Sequence, residues 1–225
     1  MACWSPENAT RAYLQSLKMG KRGKEPDVTE FISALAAGNN AQLMVMVSSS
    51  FVASTALALV AAAHQTGGRV VCIILNGLDA VNSSKDVLGS YANSIEFVAG
   101  DAQNLLINQY KGADFVLIDC NIDIHKGIFR AAQESTKQGG GVMIVGYNAQ
   151  HKGSWSEFNT QFLPIGDGLL VTRLTAYQKV GDGDGNGDGV VKGRRRSRWV
   201  VTVDECTGEE HVFRITSTHQ RVIQA

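Results

Sequence analysis

Proline is nearly missing from this 225-residue chain, with three residues, and aromatic side chains make up only 7%. So little proline excludes a polyproline or collagen-like rod, and 24 glycines with no Gly-X-Y period agree. The four cysteines, Cys3, Cys72, Cys120 and Cys206, stand far apart, with no C-x-x-C and no His at ligand spacing. That pattern excludes a disulfide framework or a zinc site and reads as reduced, mostly buried thiols in a cytoplasmic protein. Charge of one sign is not in excess, since 21 Lys+Arg balance 21 Asp+Glu. A chain that binds nucleic acid or an anionic membrane over its whole surface is thereby disfavoured. The opening "MACWSPENATRAYLQSLK" lacks an apolar core and so is not a secretory signal, and without secretion the sequons at Asn8 and Asn82 carry no meaning. One uncharged run, Ala41 to Ala63, is long enough to cross a bilayer. Ser48, Ser49 and Ser50 split it into a strand-like and a helical piece, and no basic cluster flanks it, so no membrane span is expected.

What is present alternates. Ser5 followed by Pro6 predicts a helix start, and Trp4, Ala9, Ala12, Tyr13 and Leu17 fall on one helical face. The segment "KMGKRGKEP" reads as a solvated basic loop, after which Asp27 and Glu30 form a capping box for a second helix that Gly38 and Asn39 end. Thereafter "QLMVMV", "GRVVCIIL", "SIEFVAG", "ADFVLIDC" and "GGVMIVGYN" read as strands. Between them, "VASTALALVAAAHQT", "LDAVNSSKDVLGSYA", "DAQNLLINQY" and "HKGIFRAAQESTKQ" read as helices. Short, continuously apolar strands separated by helices imply an α/β fold, with a doubly wound, mostly parallel sheet covered on both faces. Residues 154–162 are expected to be helical and "DGLLVTRLTAYQKV" a further strand.

Composition then shifts. Residues 181–193 carry "GDGDGNGDG", a low-complexity stretch with nothing to bury, and residues 194–217 alternate as an antiparallel β-hairpin arm turning at Thr207-Gly208. The chain is therefore expected to be a single domain over 1–225, with its core in 26–174. Asp182, Asp184, Asn186 and Gly187 imitate the start of a calcium loop, but the twelfth position is Gly193 and the flanks are not helical. The run Lys192, Arg194, Arg195, Arg196 and Arg198 is a basic patch that leaves a nuclear location open beside the cytoplasmic one, and Asp182, Asp184 and Asp188 upstream offset it. Trp199, Val201 and Val203 share one face of the arm, which would pack on the domain or on a second copy in a homodimer.

Several strings, within residues 26 to 174, resemble the class I S-adenosylmethionine-dependent methyltransferase fold, in particular the caffeoyl-CoA-type O-methyltransferases. "ADFVLIDCN" is similar to their fourth-strand motif, "FVAGDAQNLL" to the third-strand segment before the adenine pocket, and "LPIGDGLLVTRL" to their Leu-Pro-x-Gly-Asp-Gly closing motif. The whole chain, with "SPENATRAYL", "EFISALAAGNNAQLMV" and "CTGEEHVFRI", also resembles a plant family of unassigned function described as methyltransferase-like. The resemblance implies a Rossmann-like sheet and a site for S-adenosylmethionine or a related nucleotide, lined by Ser48, Ser49, Gly100, Asp101 and Asp119.

The departures from that pattern matter for activity. In such enzymes an acid ends the first strand, and a Gly-x-x-x-Gly loop lets the backbone approach the methionine portion of the cofactor. Here the acid position holds Met46, and the glycine positions hold Ser48 and Val52. The acid that should hold the ribose diol at the end of the second strand is Ile74. Losing two carboxylate contacts at about 1.5–3 kcal/mol each weakens binding by roughly two to four decades. The family's divalent metal would keep Asp119 and Asn148, without the acid beside the asparagine, because Gly146 or Tyr147 stands there. One carboxylate and one amide make a poor hard-cation site, so a metal is not expected.

Asp119, Asn121 and Asp123 fall at the carboxyl end of a predicted strand, where α/β ligands bind, or serve only to cap and solvate a loop. Asp101 either contacts an adenine amine, as the resemblance implies, or caps the next helix. The serines at 48–50 either hold an anion or cap a helix start. His125 is the best-placed candidate base, against the plain reading of a helix-start histidine; His64, His151, His211 and His219 support no role. Three readings follow. The first is a methyltransferase-like protein with a degenerate cofactor site that takes a small-molecule ligand. The second is a non-catalytic binding or scaffold protein, and the third, the least supported, is an accessory protein docking on nucleic acid through its basic runs.

Overall fold

The computed structural model describes residues 4–20, 27–49, 54–135, 141–150, 158, 160–174, 197–203 and 210–216. They fall into two compact units, Met1–Gln178 and Lys179–Ala225. The first unit opens with two helices whose starts are set locally. Helix α1 (Pro6–Met19) has proline in its first turn and the Ser5 hydroxyl accepting from Asn8 N–H. Helix α2 (Val28–Gly38) has a complete capping box, in which Asp27 N–H also donates to the Glu30 carboxylate at 2.7 Å. A side chain at Gly38 would collide with the indole of Trp4, which lies over the end of this helix.

Seven strands form one sheet: β1 (Leu43–Ser48), β2 (Arg69–Ile74), β3 (Ile95–Ala99), β4 (Phe115–Asp119), β5 (Val142–Tyr147), β6 (Gln161–Leu163) and β7 (Leu169–Leu174). Their order is β3-β2-β1-β4-β5-β7-β6. The first five run parallel, and β7 inserts antiparallel between β5 and β6. Strand order therefore reverses between β1 and β4, the point at which open α/β sheets bind ligands outside the carboxyl ends of their strands.

Alternation along the strands divides the interior into two layers. Met44, Met46, Cys72, Ile74, Leu117, Val145 and Tyr147 pack with α1, α2 and α3 (Ser54–Thr66) on one face, together with Val81 and Leu88 of α4 (Leu78–Leu88). Val45, Val47, Ile73, Ile118 and Ile144 pack with α5 (Ala102–Ile107) and α6 (His125–Ser135) on the other. Helix α3 is apolar without a break from Ala56 to Ala63, because its middle is buried around most of its girth. The uncharged run weighed as a membrane span is thus β1 and part of α3, and among the described residues no helix is long and apolar enough to cross a membrane.

Two expected helices are shorter than their patterns suggest. Helix α4 stops at Leu88, because Gly89 takes φ 57°, and a 3₁₀ segment, Gly89–Ser94, follows; α5 stops at Ile107. The helix expected over 154–162 is corrected at its end, where residues 161–163 are β6, paired with β7 through Phe162↔Leu170. The LPIGDG turn folds this segment back on β7, and sheet pairing overrides its weak helical pattern. Residues 151–157 and 159 lie outside the described residues, as do Ser50, Val52, the segment 21–26, the Gly/Asp stretch at 181–193 and the arginines at 194–196.

At the amino edge of the sheet, Asp114 stands just before β4. Its two carboxylate oxygens accept from Gln42 N–H at 2.8 Å and Leu43 N–H at 3.0 Å, tying β4 to the start of β1. Burial raises its pKa above the ordinary carboxyl value, and these backbone hydrogen bonds oppose the rise. The second unit contains an antiparallel hairpin, β8 (Ser197–Val203) and β9 (Glu210–Thr216), in register from Ser197↔Thr216 to Val203↔Glu210. Its expected turn at Thr207-Gly208 lies outside the described residues.

Candidate functional site

The parallel register brings the last residues of the central strands into one row at the carboxyl edge. Ala99 pairs with Ile74, Ile74 with Ser48, and Asp119 with Tyr147; one step past Val47↔Ile118, Ser48 comes beside Asp119. By strand alternation these side chains share the α1–α3 face, and Ile74 and Tyr147 belong to its core. The row is polar over β1, β4 and β5 and hydrocarbon over β2 and β3.

Asp119 is 8% exposed. Its Oδ1 accepts from Asn121 N–H and from Asn148 Nδ2–H, each at 3.0 Å. Asn148 reaches it because its backbone is left-handed, at φ 56°, a conformation asparagine tolerates better than most residues. The LPIGDG string fixes that bend: Ala149 N–H donates to Gly168 C=O and Gln150 N–H to Asp167 C=O. Gly168 has φ 85°, and a Cβ there would approach Gln150 N to 2.9 Å, so only glycine fits against this strand exit. The motif that most specifically carries the family resemblance thus acts as a brace behind Asn148.

Tyr147 is the residue that sequence reasoning undervalued, naming it only as an occupant of a lost acid position. Its side chain lies close enough to Asp119 and Ser48 for both to act on the hydroxyl. Burial is the main cause of its strongly raised pKa, the Asp119 charge adds to it and Ser48 opposes it, so Tyr147 stays protonated. A polar-tipped aromatic ending an otherwise apolar strand was the available signal. Cys72 is also neutral, its thiol pushed up to about 12 by burial. Gly146 makes room for Cys120, because a Cβ would sit 2.8 Å from its sulfur.

The other candidates are placed as follows. Ser48 is 2% exposed, and Ser49 follows it half-buried. Met46 and Ile74, at the positions of the two expected acids, are fully buried in the α1–α3 layer. Gly100 is exposed, and Asp101 caps α5, accepting from Gln103 N–H at 3.0 Å. Asp123 is exposed in the loop after β4. His125 begins α6, with its Nδ1 against Ile122 C=O. The structure therefore brings Ser48, Asp119 and Asn148 together around Tyr147 and leaves Asp101 and His125 on separate helix starts.

The implied metal does not fit this arrangement. Asn148 turns its amide NH₂ toward Asp119, whereas a hard cation needs the two side chains to present oxygens to a shared point. Among the described residues, no three His, Cys, Asp or Glu side chains gather at metal-binding distance. The implied nucleotide cofactor fits poorly for a different reason. Hydrocarbon ends the strand that should hold the ribose, and Ser48 and Tyr147, which end β1 and β5, are both buried.

Solved structures with the same fold include the SAH-bound methyltransferase PaMTH1 from Podospora anserina, at 12% identity and a TM-score of 0.53 over 78% of this chain and 91% of that one. A Staphylococcus aureus protein provisionally assigned as a caffeoyl-CoA O-methyltransferase matches at 16% identity and 0.51, over 76% and 93%. The O-methyltransferase TomG from Streptomyces achromogenes, in complex with SAM, matches at 14% and 0.50, over 79% and 93%. At such identities the likeness is one of fold, and the seven-stranded mixed sheet with its flanking helices is the Rossmann-like methyltransferase fold. No curated protein matches the chain. Residues 1–215 match the family described as protein of unknown function DUF1442, and the chain belongs to that family.

Proposed function

We propose that this chain is a methyltransferase-like protein with a degenerate cofactor site, which binds S-adenosylmethionine or a related nucleotide weakly and performs no metal-assisted O-methylation. The observation that carries this reading is Ile74: the last residue of β2, where a ribose-binding acid would stand, is apolar and fully buried. Asp119 retains a carboxylate at the strand-order reversal and can still accept from a ligand donor, so the site is reduced and not erased.

Isothermal titration with S-adenosylmethionine and S-adenosylhomocysteine, with and without magnesium, tests the reading. The expected result is a dissociation constant in the millimolar range, unchanged by magnesium. That is two to four decades weaker than a micromolar site, at about 1.5–3 kcal/mol per missing carboxylate contact. Micromolar binding that magnesium strengthens would overturn it.

A second reading, a non-catalytic binding or scaffold protein, is favoured by Met46 and Ile74, which stand fully buried in the core at both positions where the resembled family carries acids. No heat at millimolar ligand would select it over the first.

A further inference from the structure

We infer that Asn76–Gly77 is a self-modification site: the Asn76 side chain cyclises onto the backbone nitrogen of Gly77 and reopens as a carboxylate, adding a negative charge at the carboxyl edge of the sheet. This chemistry goes beyond cofactor binding and proceeds whether or not a nucleotide binds.

Strand β2 ends at Ile74, and Leu75 N–H donates to Ser48 C=O at 3.0 Å, which fixes the first residue of the connection to α4. Asn76 comes next and is exposed, and its side chain makes no hydrogen bond among the described residues. Gly77 then stands as the N-cap of α4, at φ 84° and ψ −167°, with no side chain to bond the helix start. Its own N–H carries no hydrogen bond among the described residues, and a Cβ placed on it would meet nothing within 4 Å. The attacking nitrogen is therefore unoccupied and in open space, and glycine brings neither a side chain in the way nor a stiff backbone. Elsewhere the same nitrogen is engaged. Leu105, Ile122 and Ala149, each of which follows an asparagine, donate their N–H groups to the carbonyls of Asp101, Asp119 and Gly168. Asn82 precedes Ser83 inside α4, where the N–H belongs to the helix. Ring closure at those positions must first break a hydrogen bond.

The step needs only water. The Gly77 nitrogen gives its proton to hydroxide and attacks Cγ of Asn76; the new Cγ–N bond forms, the Cγ–Nδ2 bond breaks, and Nδ2 leaves as ammonia with a proton from water. A second water adds to either carbonyl of the five-membered succinimide and breaks one of its two C–N bonds. Opening at Cγ gives aspartate, and opening at the main-chain carbonyl gives isoaspartate, whose backbone is one methylene longer. Either product places a carboxylate one residue before the N-cap of α4. The first N–H groups of that helix have no side-chain acceptor, and its positive end favours the new charge.

The test incubates the folded full chain at neutral and mildly alkaline pH and follows it by trypsin digestion and mass spectrometry with fragmentation. Cleavage after Arg69 and Lys85 releases residues 70–85, which carry both Asn76 and Asn82. The expected result is a one-dalton gain located at Asn76 and divided between aspartate and isoaspartate. Its rate should lie within about tenfold of that in a synthetic peptide of residues 70–85, because no hydrogen bond opposes ring closure. Asn82 in the same fragment should stay intact over that time. The gain should quicken with pH and vanish from the fragment in Asn76→Gln, whose ring would have six members and closes far more slowly. A rate at Asn76 more than tenfold below that of the peptide would show that the fold protects the site and would overturn the inference. An equal gain at Asn82, or a gain that persists in Asn76→Gln, would overturn it as well.

Discussion

One aspartate stands just before strand β4 and another ends it, and the two side chains do different work. Asp114, at the amino edge, spends both oxygens on backbone N–H groups of Gln42 and Leu43. Asp119, at the carboxyl edge, concentrates its described hydrogen bonds on Oδ1, from Asn121 and Asn148. A carboxylate that completes the backbone of a neighbouring strand is part of the fold. One held from a single side at the strand-order reversal stands where ligands bind in open α/β sheets. Residue type does not separate these cases; the partners do.

The largest effect expected from this contrast is on stability. Asp114→Ala removes two charge-assisted hydrogen bonds and should lower the unfolding free energy by about 2–3 kcal/mol, whereas Asp119→Ala should cost about 1 kcal/mol. Urea denaturation measures both. Equal losses would break the comparison and make Asp119 a structural group. In ligand titration the order reverses: Asp119→Ala should weaken nucleoside binding several-fold, and Asp114→Ala should leave it unchanged.

A smaller effect concerns pH. Because burial raises the pKa of Asp114 in the fold above its ordinary value of 3.8, the native state binds more protons than the unfolded chain between those two values. Its contribution to stability therefore falls as pH rises through that window and is level on either side. In Asp114→Asn this part of the pH dependence should vanish. A profile identical to that of the wild type would show that the carboxylate titrates alike in both states.

The smallest effect separates capping from binding at Asp101. Asp101→Ala should cost about 1 kcal/mol through loss of the α5 cap, while Asp101→Asn, an equally good cap, should cost a few tenths at most. If Asp101→Asn weakens nucleoside binding as much as Asp119→Ala does, the carboxylate contributes to the site beyond its cap.

Much of the fold was legible because its signals are local. Ser5 with Pro6, and Asp27 with Glu30, start helices through hydrogen bonds within one turn, and five apolar strands between helices admit little besides a doubly wound sheet. Residues 161–163 misled because a three-residue strand has no period of its own and exists only by pairing with β7. The LPIGDG string was recognisable, yet its work, bracing the Asn148 bend through Gly168 and Asp167, depends on chain that is distant in sequence.

The sequence by itself determined the α/β class and the helix starts, and it shows apolar Met46 and Ile74 where the family it resembles carries acids, since these are matters of residue type and local spacing. Only the tertiary structure decided that Ile74, Ser48, Asp119 and Tyr147 form one row, because strand register is a long-range property. It alone separated Asp114 from Asp119, because their hydrogen-bond partners lie far away in sequence for the one and at a strand exit for the other.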